Sequence, residues 1–314
     1  MATNGINFTY PDAARRESLL DIVVNIDPTE HQLVSGLQRS TATNTLHEWV
    51  EDSLEAVGAN AQPEGADAPA DVAGDPVRKQ NITQIFSKTA VVSGTESAVN
   101  RVGGDRMAME IVDKLKAMKN DIEYALVRGS IASGVASNAS TSGRQLKGIK
   151  NWFDGTATTN TSNYSGATLT ETVLNDMFQT VWENSGKEVN AVYTSMKGKR
   201  RISGFTAGAT KNVETTDKRL VNSVDVYESD AARMVKLFAH RYVTVAGDYV
   251  TTATPGFDVL ALNEGTWAIA YLQGREPMTQ DLATVGDRKS KQIITELTLE
   301  CRGARANYYG KLFF

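Results

Sequence analysis

The stretch DRMAMEIVDKLKAMKNDIEYALVR, residues 105–128, decides how the rest of the chain is read. Met107, Ile111, Leu115, Met118, Ile122 and the pair Ala125/Leu126 recur at three- and four-residue spacing, the period of one helical face. Asp105 stands where an N-cap belongs, and Gly129 supplies the stop. Glu110–Lys114 and Lys119–Glu123 have the spacing of favourable i,i+4 ion pairs. At 1.5 Å per residue the segment makes a rod of roughly 35 Å. Such a rod reads as an amphipathic core helix with Ile111, Leu115, Met118 and Ile122 on its buried face, and its own sequence does not name what it packs against.

Upstream lie two strand candidates, residues 45–54 and 81–92. The first carries Leu46, Trp49, Val50 and Leu54; the second carries Ile82, Ile85 and Phe86. Between them, residues 58–76 hold Pro63, Pro69 and Pro76 among Ala, Gly and the acids Glu64, Asp67, Asp71 and Asp75. That composition builds no core and reads as an extended acidic loop tip. A two-stranded hairpin is marginal alone in water. Its apolar side chains therefore need a surface, either on their own domain or on a neighbouring subunit. Before it, residues 10–39 hold one helix-like run, Arg15 to Val23, cut off by Asp27-Pro28, and read as an arm pinned against something.

Downstream, residues 130–166 are rich in Ser, Thr, Asn and Gly. A second helix follows, with Thr168 and Glu171 at capping-box spacing, a stripe of Val173, Leu174, Met177, Val181 and Trp182, and Gly186 at its end. Strands are expected at 189–193, 220–226, 234–245, 256–262 and 266–272, with a basic run, KGKRR at 197–201, after the first. In residues 291–302, Ile293, Leu297, Leu299 and Cys301 alternate with Gln292, Glu296, Thr298, Glu300 and Arg302, the period of a long half-buried strand. The class is α+β.

The 314 residues are 41% hydrophobic and 22% charged, which places them with globular rather than disordered chains. A net charge of −4 argues against a protein whose main task is to coat nucleic acid. Cys301 has no partner for a disulfide, and Met1 to Asp12 lack the apolar run of a secretory signal, so synthesis in a reducing cytosol is expected. No stretch has the ~20 apolar residues of a membrane span. His31, His47 and His240 each lack a metal-ligand partner at i+3 or i+4. Nucleophile-elbow, Walker and dinucleotide fingerprints are missing from the sequence. Gly103-Gly104 ahead of a helix is a weak phosphate signal, and KGKRR reads as a solvated face or salt-bridge donor. Cys301, on the apolar face of its strand, reads as a buried inert thiol. No catalytic, metal or cofactor residue is assigned, and the chain is expected not to be an enzyme.

The order of parts (short arm, long hairpin with acidic tip, long helix, mixed insert, returning long strand) resembles that of the Hong Kong 97 capsid fold. Local wording narrows the resemblance to the SU-ten-type major head proteins of short-tailed phages. It is carried by Asn25-Ile-Asp-Pro-Thr-Glu30, Thr45-Leu-His-Glu-Trp49, Thr83-Gln-Ile-Phe86 with Val92-Ser-Gly-Thr95, and Asp121-Ile-Glu-Tyr124. Gly148-Ile-Lys-Asn-Trp152, Tyr227-Glu-Ser-Asp230 and the tail from Leu282 through Gly286-Asp287 to Glu296-Leu-Thr-Leu-Glu300 extend it along nearly the whole chain.

The resemblance implies an N-terminal arm at 1–39, an extended E-loop at 40–95 and a peripheral domain at 96–147 and 279–314, with 105–128 as spine helix. An axial domain at 148–278 completes it, and residues 291–314 would return to the peripheral sheet. It further implies an icosahedral bacteriophage capsid subunit that self-assembles into hexamers and pentamers around double-stranded DNA, held only by non-specific contact. Expected partners are a portal, a separate scaffolding protein and, as an option, a decoration protein. The expected location is the virion, assembled in the host bacterial cytoplasm, without a membrane. Leu46, Trp49, Val50, Leu54, Ile82, Ile85 and Phe86 are the expected intersubunit contacts. The alternatives are an encapsulin-like compartment shell, which shares the fold but encloses enzymes, and a tail or fibre protein, which repeats would betray.

Overall fold

The computed structural model describes residues 31–52, 57–68, 76–99, 104–132, 143–153, 160–205, 224–245, 248 and 256–314. The run Arg15 to Val23, Leu54, Asp71, Asp75 and the first residues of the strand expected at 220 lie outside them. In chain order the elements begin with α1 (Gln32–Gly36), β1 (Gln38–Ala42), β2 (Leu46–Glu51), β3 (Val77–Ile82), β4 (Gln84–Ser93), α2 (Gly94–Ala98) and α3 (Arg106–Arg128). Next come α4 (Ile149–Trp152), β5 (Thr161–Asn163), α5 (Glu171–Ser185), β6 (Ala191–Thr194), α6 (Met196–Ser203), β7 (Val226–Ser229) and β8 (Ala232–Ala239). The last are β9 (Phe257–Leu262), β10 (Trp267–Leu272), β11 (Met278–Asp281), β12 (Arg288–Cys301) and β13 (Tyr308–Phe313).

Helix α3 forms as its periodicity predicts. Asp105 caps it, its carboxylate accepting from the Met107 N–H at 3.1 Å, so the helix start carries its own negative charge. Met118 and Ile122 are buried in a cluster with Phe86, Ile293, Leu297 and Leu299, while Ile111 and Leu115 are half-buried against the same cluster. Glu110 pairs with both Arg106 and Lys114, at 3.1 and 3.2 Å. Glu123 departs from its expected pairing with Lys119. It is fully buried and accepts from the Leu33 and Val34 N–H groups at 2.8 and 3.0 Å and from His240 Nε2 at 2.9 Å. These bonds, with His31 on Asn120 at 2.8 Å, fix the end of the expected arm to α3.

The sheet beneath α3 has five strands with β12 at its centre. β4 runs antiparallel along one edge of β12, from Ser93 opposite Arg288 to Gln84 opposite Leu297. β11 and β10 share the other edge, and β1 adds in parallel to β10. The second sheet has the order β5-β13-β9-β6-β8-β7. α5 and α6 cover one face of it through Leu174, Met177, Phe178, Val181 and Ile202. Its other face, with Tyr193, Leu260, Leu262 and Tyr309, joins the cluster of α3. Burial on both faces explains why β9, FDVLAL, reads as an apolar run instead of an alternation. Asp258, buried within it, is satisfied by Lys150 Nζ at 2.5 Å, Tyr309 Oη at 3.0 Å and the Leu312 N–H at 3.0 Å.

Four expectations are corrected. The strand read at 81–92 is two strands: β3 ends at Ile82, the chain turns at Thr83, and β4 pairs with β12 instead of with β2. Residues 291–314 do not all return to one sheet. After β12 the turn at Gly303, at φ 119° and so suited to glycine, sends β13 into the six-stranded sheet, while β10 and β11 belong to the five-stranded one. α5 is capped by Thr170, not Thr168, and its Trp182 is exposed, Phe178 taking the buried place. The strand expected at 234–245 stops at Ala239. The basic run KGKRR, for which no element was expected, lies within α6, where Lys199 meets Asp225 at 2.8 Å.

Candidate functional site

The candidate interface element is the hairpin of β2 and β3, which leaves Leu46, Val50 and Val77 exposed. Its register runs from Leu46 opposite Ile82 to Glu51 opposite Val77. Strand alternation puts His47, Trp49 and Glu51 on one face and Leu46, Glu48 and Val50 on the other. Leu46, Trp49 and Val50, all expected to meet a neighbouring subunit, are therefore divided between the two faces. Trp49 turns inward onto its own chain, its ring 5.6 Å from that of Trp152 and its Nε1–H donating to the Cys301 carbonyl at 2.9 Å. Leu46 and Val50 turn outward, 40% and 62% exposed, with Ile82 half-buried beside Leu46. Glu64 and Asp67 of the loop tip are exposed.

Phe86 is not available to a neighbour. It is 6% exposed because β4 carries it into the core under α3. Ile85, on the opposite face of β4, is 46% exposed and shares that face with Val91. Ser87 and Thr89 lie between them, so this strip of β4 carries no charge.

The inward face of the hairpin rests on the end of β12, and the contacts are mostly polar. Asn81 Nδ2 donates to the Leu299 carbonyl at 2.7 Å, and the Thr298 hydroxyl donates to the Ile82 carbonyl at 2.9 Å. Glu51 accepts from the Gly303 N–H at 3.0 Å. Glu300 bonds His47 and takes Arg302 at 2.5 Å and the Ser40 hydroxyl at 3.2 Å. Glu296 accepts from the Thr83 hydroxyl and from Arg144, both at 2.6 Å. The face of β12 read as solvent-directed is thus covered, with Glu296 and Glu300 only 2% and 3% exposed. Burial alone would raise the Glu300 carboxyl, but the His47 hydrogen bond and the Arg302 charge outweigh it and hold Glu300 below the ordinary carboxylate range.

Cys301 is buried, and desolvation pushes its thiol well above the usual range, as an inert thiol requires. His47 and His240 are hydrogen-bonded to Glu300 and Glu123. Among the described residues, no group of three or more His, Cys, Asp and Glu is placed to hold a metal. No helix among them is long and apolar enough to cross a membrane. Two sheets, a long helix packed on one of them and a two-stranded hairpin seated on the end of β12 are the frame on which these contacts are built. The sequence profile of the SU10 major capsid protein family matches residues 2–311.

The chain belongs to that family. It is a structural capsid subunit with the Hong Kong 97-type fold. A curated major capsid protein, that of Escherichia phage Phieco32, is 28% identical over 137 residues, which span 43% of this chain and 39% of that relative. Among solved structures, the cyanophage A-1(L) capsid protein is similar at a TM-score of 0.67 and 14% identity, over 95% of this chain and 96% of that one. The gene transfer agent capsid is similar at a TM-score of 0.60 and 9% identity, over 96% and 95%. The SrpI encapsulin of Synechococcus elongatus matches at a TM-score of 0.60 and 12% identity, over 98% and 95%. These likenesses share the fold alone; the family match is what separates the phage subunit from the encapsulin.

Proposed function

We propose that this capsid subunit tiles with copies of itself into hexamers and pentamers, and that the β2–β3 hairpin is the arm joining one copy to the next. The observation that carries this reading is the hairpin's division of faces. One face is bound to its own β12, and the other leaves Leu46 and Val50 in solvent. Exposed apolar residues on a projecting ribbon are a liability in a monomer and an asset once a neighbour covers them. The uncharged strip Ile85, Ser87, Thr89 and Val91 on β4 offers such a seat. Obligate assemblies bury roughly 2,000–5,000 Å² per contact, a scale that a short globular patch does not reach without an extended arm.

The shell encloses double-stranded DNA by non-specific contact, in keeping with a net charge of −4 that leaves no strong basic field. Its role is structural, without catalysis. Assembly takes place in the host cytoplasm with a portal and a separate scaffolding protein. Sedimentation of the purified chain tests the reading. Large species are expected, and where they form beside phage DNA packaging their DNA should resist added nuclease until the shell is opened. A lone monomer at all concentrations, with the scaffolding protein present as well as absent, would contradict tiling, and particles isolated from cells with a protein cargo would favour the compartment shell.

A further inference from the structure

We infer that Glu296 and Glu300 are positioning residues for assembly: two buried carboxylates on β12 hold the two roots of the hairpin and fix the direction in which it leaves the subunit. The inference rests on the hairpin being the intersubunit arm. Each carboxylate grips a different root. Glu300 bonds His47 on β2, and Glu296 accepts from Thr83, the corner between β3 and β4. Each also holds a guanidinium, Arg302 and Arg144 respectively, and Arg144 Nε reaches the Thr83 carbonyl at 3.3 Å. Arg275 Nε lies 3.8 Å from the second oxygen of Glu296.

A buried carboxylate is expensive unless paired and hydrogen-bonded, so a strand that needed only a covered polar face would be better served by Thr or Gln. The position of these two is what gives them a use. They sit four residues apart on one strand, on the same face, one under each root of the hairpin. Neutral bonds fill the interval, Asn81 to the Leu299 carbonyl and Thr298 to the Ile82 carbonyl, and Trp49 adds one just past Glu300, to the Cys301 carbonyl. The hairpin is thus joined to β12 by side-chain rungs in place of a backbone ladder. A ladder would fix the hairpin as one more strand of the sheet; rungs let it stand off the sheet at an angle that their lengths set. Charge-assisted rungs are the strong ones and resist tilting. Glu51, accepting from the Gly303 N–H, is the outermost of these rungs on β2, and Val57 further along the chain is fully exposed.

Hydrogen exchange on the unassembled subunit tests this without relying on shell formation. In Glu300→Gln, the amides of residues 46–51 and 77–82 are expected to exchange about tenfold faster, a change of ~1.4 kcal/mol in local opening. Those of β9 and of residues 291–295 in β12 should keep their wild-type rates, and the variant should assemble with lower yield. Hairpin rates equal to wild type would overturn the inference, as would an equal acceleration through both sheets, which marks a general loss of stability. Should Glu300→Gln not fold, Thr83→Val removes one rung and leaves Glu296 paired with Arg144. Faster hairpin exchange in that variant supports the clamp, and unchanged exchange refutes it. Failure of the wild-type chain to assemble would count against the arm, while the exchange result would still decide the clamp.

Discussion

Truncating α3 at two positions measures how its contact with the five-stranded sheet varies along its length. Ile122 is 3% exposed and lies in one cluster with Phe86, Leu297 and Leu299. Leu115 packs against that cluster but is half-buried. An Ile→Ala change in a packed core costs ~2–5 kcal/mol, because the lost transfer energy is joined by a cavity that the surroundings only partly close. Full burial of a leucine is worth ~1.5–3 kcal/mol, so a half-buried one forfeits about 1–1.5 kcal/mol, and water fills its space instead of a void. Ile122→Ala should therefore cost more than Leu115→Ala. Urea unfolding of the unassembled subunit reads this directly: the midpoint falls in that order while the slope stays constant, since both variants expose the same surface on unfolding. Equal losses at the two positions, or a loss under about 1 kcal/mol at Ile122, would mean that the helix does not rest on the sheet as described.

Trp49→Ala removes the indole bond to Cys301 and the contact with Trp152. It should loosen the hairpin by about 2–3 kcal/mol and lower assembly yield with circular dichroism unchanged; hairpin exchange at the wild-type rate would contradict this. Glu300, faced by His47 from β2, Arg302 from the turn after β12 and the Ser40 hydroxyl from β1, has its folded value depressed, burial opposing and His47 and Arg302 prevailing. Its contribution is complete above the unfolded value of about 4.3 and is lost as pH falls through the lower folded value. Hairpin protection in the wild type should therefore hold from pH 8 to about 5 and fall below about 4, more steeply than in Glu300→Gln; an equal fall in the two proteins would take the effect away from Glu300. Neutralising Glu64, Asp67, Asp71 and Asp75 together should flatten the salt dependence of early association, because screening shortens from ~10 Å at 0.1 M to ~3 Å at 1 M. An unchanged dependence by light scattering would leave those acids a solubility role alone.

The two long helices, α3 and α5, were legible because their period is self-contained: Met118 and Ile122 face the core as residues four apart must, whereas the short α1, α2, α4 and α6 are too brief to show a period. The hairpin was legible only as far as Ile82. NITQIFSKTAVV keeps strand character throughout, and nothing in it marks Thr83 as the corner, since the turn is stabilised by Glu296 and Arg144, far away in the chain. Alternation in β12 was read correctly as a two-faced strand, but a polar residue looks the same in sequence whether it meets water or a buried partner. Glu296 and Glu300 meet partners. The same blindness applies to Glu123, whose i,i+4 lysine suggested a surface pair while Leu33, Val34 and His240 claimed it inside. The division of the last strands between sheets depends on a positive φ at Gly303, and a glycine after a strand gives no hint of which sheet comes next.

Cryo-electron microscopy of particles grown from the purified chain tests the central claim most directly. The account predicts closed shells or capsomers in which the Leu46, Val50 and Ile82 face of each hairpin lies on a neighbouring copy. The Trp49 face should remain on its own β12. A dispersed monomer, or a hairpin whose Leu46 and Val50 face packs on its own subunit, would contradict it.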